Sequence, residues 1–88
     1  MITGGCDFCR VCGFSLGYSP WGENNDAPDY GICDCCGVEF GYEDGSLTSV
    51  RAYRDKWLAG GAEWFDAKTK PANWEVSRQM ERIPPDYL

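Results

Sequence analysis

Four cysteines in two matched pairs carry the chemistry open to this sequence. Cys9-Arg-Val-Cys12-Gly13 and Cys33-Asp-Cys35-Cys36-Gly37 each space two thiols two residues apart, with twenty residues between Cys12 and Cys33. A two-residue gap lets a tight turn aim both sulfurs at one point. Two such turns face to face complete a tetrahedron with Zn–S bonds of about 2.3 Å. The glycine after each pair can take a positive φ and bring backbone close to a metal-bound sulfur. The spacing therefore predicts one structural metal ion on Cys9, Cys12, Cys33 and Cys36, with Zn2+ the expected ion. Iron in a rubredoxin-like site is the chemical alternative, because thiolates suit both metals. An electron carrier of that kind would leave the long second half unexplained.

Two thiols fall outside this set. Cys6 makes a C-x-x-C with Cys9, but Arg10 rather than glycine follows. Cys35 adjoins Cys36, and neighbours in extended chain point to opposite faces. Both read as free small side chains, since ordinary sites close with four ligands. A Cys6–Cys35 disulfide is the alternative in an oxidised sample.

Catalysis finds little support. Four thiolates leave no open coordination position for water or substrate. The chain has no histidine, which removes Ser-His and Cys-His activation. Glu39, Glu43 and Asp44 could do acid and base work but read as a solvated acidic rim. A thiol oxidoreductase would need one reactive pair rather than two matched ones. A non-enzymatic protein is expected.

The 88 residues are expected to form a single domain, 1–88, with a ribbon-like part at 6–45 and a helical part at 46–88. A chain of this size buries only about 60 to 65% of its unfolded surface and benefits from a staple. The start, MITGGCDFCR, lacks the basic and apolar regions of a secretory signal, and no apolar run is long enough to span a bilayer. A cytoplasmic location follows as an expectation, and there clustered cysteines hold metals more often than they form disulfides.

Net charge is −6, unevenly placed. Residues 1–46 carry eight acids against Arg10, whereas residues 47–88 carry six acids against seven bases. Divalent zinc on four thiolates adds a further −2 to the first half. Such a surface repels phosphate backbones, so nucleic acid is a poor partner and a basic protein a good one.

The elements that must position the cysteines read as a small α+β fold: zinc-ribbon-like β-hairpins with two zinc knuckles, packed against C-terminal helices. Strands are expected at 13–18, 30–33 and 38–42, around a turn-rich loop at 19–28 in which Trp21 forms a lid over the core. Leu47, Val50, Tyr53, Trp57 and Leu58 make one stripe at helical spacing, predicting a helix over 47–59 that Ser46 caps and Gly60-Gly61 ends. Glu63-Trp64-Phe65 is expected to form one helical turn. Val76, Met80 and Ile83 mark a second short helix stopped by Pro84-Pro85. Trp57, Trp64, Phe65 and Trp74 should pack between helices and ribbon, leaving Arg51, Arg54, Lys56, Arg78 and Arg82 in solvent. No internal repeat, linker or low-complexity stretch is expected.

Cys9-Arg-Val-Cys12-Gly13-Phe14, Tyr30-Gly31-Ile32-Cys33, Cys36-Gly37-Val38-Glu39-Phe40 and Glu43-Asp44-Gly45 resemble the small bacterial cysteine-rich proteins of the CPCC family. The tail, from Tyr53-Arg54-Asp55-Lys56-Trp57-Leu58 through Trp64-Phe65, Pro71, Trp74, Gln79 and Ile83-Pro84, is similar to tails of small uncharacterised bacterial proteins. The first knuckle departs from the family pattern, with Arg-Val where the family has Pro-Cys, and the additional cysteine, Cys35, lies in the second knuckle. The resemblance implies a zinc-ribbon-like protein without catalysis and, in its sharpest form, an immunity protein that neutralises a basic toxin. A zinc-ribbon accessory to transcription or translation is the alternative, and would need a basic patch built only from the C-terminal helices.

Overall fold

The structure, a computed structural model, describes residues 6–88. The start of the chain, read above as lacking a secretory signal, lies in part outside the described residues. Two knuckles lead into helix α1 (Leu47–Ala59), a short 3-10 turn (Ala67–Thr69), helix α2 (Val76–Met80) and a C-terminal 3-10 turn (Pro85–Tyr87) that packs on α1.

The expected β-hairpins do not form, so the chain is not an α+β zinc ribbon. Among the described residues there is no strand, only two isolated antiparallel bridges, Phe8 with Ser15 and Ile32 with Glu39. The reason is local. Each pair of knuckle arms is cut short by left-handed backbone: Gly17 (φ 81°) turns away the first, while Tyr30 (φ 59°) and Gly41 (φ 93°) bound the second. A ladder of one bridge is all that fits between such turns.

The two knuckles are copies of one another shifted by 24 residues, an internal repeat that was not expected. Cys9 N donates to Phe14 O and Gly13 N to Cys9 O; in the second copy Cys33 N donates to Val38 O and Gly37 N to Cys33 O. Leu16 N to Asp7 O is matched by Phe40 N to Gly31 O. Gly13 and Gly37 both have φ near +80°, which glycine adopts without a Cβ penalty. Each knuckle is thus a six-residue turn closed by the same hydrogen bonds, and its two cysteines emerge on one side.

Helix α1 has the bounds that its stripe predicts. Ser46 Oγ accepts from Ser49 N at 3.1 Å as N-cap. The end is closed by Gly60 N to Lys56 O, Gly61 N to Leu58 O and Ala62 N to Trp57 O, with Gly61 at φ 98°. Its buried residues are Val50, Arg54 and Trp57. Leu58, expected in the stripe, is 37% exposed, and Arg54, expected in solvent, is buried.

Further along, Glu63-Trp64-Phe65 is not a helical turn. Phe65 N and Asp66 N donate to Cys35 O and Asp34 O, holding this segment against the second knuckle. The turn comes later, at Ala67–Thr69, capped by Asp66. The second helix is shorter than its spacing suggests: α2 ends at Met80, and tight turns carry the chain to the buried Ile83. Trp57, Trp64 and Trp74 do pack together, with Phe14 against Trp64, in edge-to-face pairs 5.3 to 6.4 Å apart. Phe65 does not join them and is 62% exposed.

Trp21 is half-buried and lies over the Arg10 guanidinium, 3.8 Å from its ring centre, with Tyr87 at 4.3 Å on another side. Arg10 also donates to Asp44 O and to Asn25. Asp44, expected on a solvated rim, is fully buried: its carboxylate accepts from Gly41 N and Trp21 Nε1. Glu43 likewise turns inward, accepting from Glu39 N. These carboxylates close the turn before α1 and satisfy backbone donors there.

Candidate metal centre

The structure brings the Cys9, Cys12, Cys33 and Cys36 sulfurs within 4.8 Å of one another, all in buried residues. Sulfurs at the corners of a tetrahedron with about 2.3 Å bonds are about 3.8 Å apart. The cross-knuckle pairs Cys9–Cys36 and Cys12–Cys33 lie at 3.7 and 3.8 Å. The donor set and its spacing therefore fit one four-coordinate ion with affinity for thiolate, and the four cysteines could hold one.

Each knuckle leaves three carbonyls pointing away from its sulfurs, and the rest of the chain satisfies all six in matched fashion. In the first knuckle, Arg54 Nε donates to Val11 O at 2.7 Å, Arg54 Nη2 to Arg10 O at 2.9 Å, and Gln79 Nε2 to Cys12 O at 3.2 Å. In the second, Phe65 N reaches Cys35 O, Asp66 N reaches Asp34 O, and the Tyr53 hydroxyl donates to Cys36 O at 3.0 Å. Arg54 also donates to the carbonyls of Tyr87 and Leu88, tying the C-terminus to the first knuckle. A planar fork of five donors can reach several carbonyls at once, which is why an arginine is buried at this point. Such contacts behind the ligands orient them and hold both turns open toward one centre.

Sequence reasoning missed Arg54, Gln79 and Tyr53. The 24-residue spacing of C-x-x-C-G, with a further glycine four residues on at Gly17 and Gly41, was the available signal that two like turns with like carbonyls would need donors.

Cys6 and Cys35 stand outside the four. Cys6 is half-buried, its thiol 3.7 Å from Phe8 O, and it lines the small cavity beside Arg10 and Trp21. Cys35 takes the place that Val11 has in the first knuckle, fully buried, its sulfur 3.2 Å from Gln79 Nε2. Both are free thiols.

In metal-free protein these sulfurs cannot all carry charge. Burial pushes the Cys12 and Cys36 thiols up, while hydrogen bonds from Cys12, Cys36 and Cys9 hold Cys33 well below the ordinary thiol range. A cation that binds here must displace protons. Among the described residues no helix is long and apolar enough to cross a membrane. Compared with protein-family models, curated proteins and solved structures, the chain matches none.

Proposed function

We propose that the chain is a non-enzymatic protein-interaction module built around one Zn2+ ion held by Cys9, Cys12, Cys33 and Cys36. The observation that carries the metal is the buried four-sulfur cluster with its 3.7 and 3.8 Å edges. Zinc is favoured because it accepts a closed tetrahedral thiolate set without further demands and stabilises small domains by their folding free energy.

A basic protein is the proposed partner, with neutralisation of a toxin, the function implied by the CPCC resemblance, as its sharpest form. Support comes from the placement of charge. Arg10, the sole base among residues 6–46, is buried under Trp21 and Tyr87. Asp7, Glu23, Asp26 and Asp29 are exposed, so that half presents acids to solvent without a cation among them. Tyr18 and Tyr30 are exposed beside Asp29, and aromatics of this kind anchor protein interfaces. Acidic fields of this sort steer basic partners and weaken with salt. Nucleic-acid binding loses ground, because the burial of Arg54 removes a base from the helical face that it would need.

Elemental analysis of purified protein tests the centre: one zinc per chain supports it, iron with visible absorption moves electron transfer forward, and four oxidised cysteines without metal refute it. The partner is tested by affinity capture at low salt with native protein and with the Asp29→Lys variant. A basic partner held by the first, lost in the second and released by salt is expected. Capture indifferent to both would refute the electrostatic reading.

A further inference from the structure

Three of the four clustered cysteines, Cys9, Cys12 and Cys33, have no solvent exposure; Cys36 alone has some, 6%. A cavity of about 230 Å³ lined by Cys36, Tyr53, Lys56 and Trp57 opens over it. Tyr53 and Lys56 also line a neighbouring groove of about 300 Å³ with Tyr42, Glu43, Ser49 and Ala52, so the approach runs along the outer side of α1. A space several times the roughly 30 Å³ share of a water molecule admits a small peroxide. Lys56, on the rim of that cavity, is exposed. A sulfur within reach for a second step is Cys9, 3.7 Å from Cys36. Cys12 and Cys33 form an equivalent pair at 3.8 Å, but both are shut off from solvent.

We infer that Cys36 is a modification site, the ligand that small peroxides oxidise first, and that its oxidation joins it to Cys9 and releases the ion. The inference rests on the metal reading above. In the first step the Cys36 thiolate attacks one peroxide oxygen: an S–O bond forms, the O–O bond breaks, and hydroxide leaves to become water on taking a proton. The sulfur is oxidised by two electrons to a sulfenic acid and the peroxide is reduced. In the second step the Cys9 thiolate attacks the Cys36 sulfur, an S–S bond forms, the S–O bond breaks, and a second hydroxide leaves as water after protonation. Two thiolates, one hydrogen peroxide and two protons thus give one disulfide and two waters. Two ligands remain, too few to hold the ion in a tetrahedral site.

The sequence provides a direct readout, because trypsin cuts after Arg10 and next after Arg51. A Cys9–Cys36 bond links peptides 1–10 and 11–51, whereas a Cys12–Cys33 bond stays inside 11–51. The experiment treats zinc-loaded Cys6→Ser protein, which removes the half-buried competing thiol, with substoichiometric hydrogen peroxide. Mass spectrometry follows the peptides and a chromophoric chelator follows the ion. The expected result is the linked pair first, assigned to Cys36 by fragmentation, zinc loss in step with it, and dimedone trapping of the sulfenic acid on Cys36. A first disulfide within 11–51, trapping on another cysteine, or zinc loss ahead of any link would overturn the inference. Protein that takes up no zinc refutes the metal reading instead, and the first disulfide formed still decides which sulfur is reached from solvent.

Discussion

Replacing the two equivalent knuckle glycines by alanine should have unequal consequences, because only one of them lies against backbone. Gly13 and Gly37 share a φ near +80°, so each substitution carries the left-handed penalty of about 1 to 2 kcal/mol. At Gly37 the new methyl meets the Phe65 side chain at 3.2 and 3.4 Å, and Phe65, 62% exposed, can swing aside. At Gly13 it would lie 2.4 Å from Gln79 O and 3.1 Å from Ile83 N. Both belong to the main chain of α2 and the turn that follows, which must retreat. That retreat pulls the Gln79 amide from Cys12 O and Cys35 Sγ, two hydrogen bonds together worth about 1 to 3 kcal/mol. Gly37→Ala should therefore cost about 1 to 2 kcal/mol, and Gly13→Ala more by about 1 to 3 kcal/mol. Thermal melts of zinc-loaded variants, with metal content checked in each, read the difference as a midpoint at least about 4 °C lower for Gly13→Ala. Adding Gln79→Ala to Gly13→Ala should cost less than Gln79→Ala alone, since both remove the same bonds. Equal midpoints for the two glycine variants, or additive costs, would refute the tight seating of α2 on the first knuckle.

Metal affinity should rise with pH: the Cys12 and Cys36 thiols, pushed up by burial, stay protonated in the metal-free protein and must release protons on binding. Competition with a chromophoric chelator at several pH values checks this, and a pH-independent affinity would contradict it. Arg54→Ala should destabilise by about 3 kcal/mol or more, because several charge-assisted hydrogen bonds to buried carbonyls disappear together. Arg54→Lys should recover little, since one ammonium cannot span Val11 O and Arg10 O with the fork geometry; urea midpoints decide. The Tyr53 phenol is pushed up to about 12, chiefly by burial. The fold favours its neutral form, so its contribution is complete below the ordinary value of about 10 and is lost as pH rises toward about 12. Tyr53→Phe should remove that alkaline loss in denaturation midpoints, and an unchanged profile would count against it.

The spacing of Cys9, Cys12, Cys33 and Cys36 determined their grouping, because a C-x-x-C-G turn is closed by hydrogen bonds within six residues and aims its sulfurs without outside help. The bounds of α1 were legible for the same reason: Ser46 and Gly60-Gly61 act within a turn of the residues they cap. What lay beyond such short range was decided by tertiary structure. Hairpins were expected from arms that carry the right residues, yet Gly17, Tyr30 and Gly41 take left-handed backbone that allows one bridge in each knuckle. Arg54 reads from its type as a solvent residue, and it is buried because two segments distant in sequence, Arg10-Val11 and Tyr87-Leu88, converge on it with carbonyls that need donors. Asp44 is buried because donors from Gly41 and Trp21 meet its carboxylate. Local turns could be read from residue types and spacing; the partners that satisfy buried polar groups could not, since a hydrogen-bond demand becomes specific only once the fold has removed water from it.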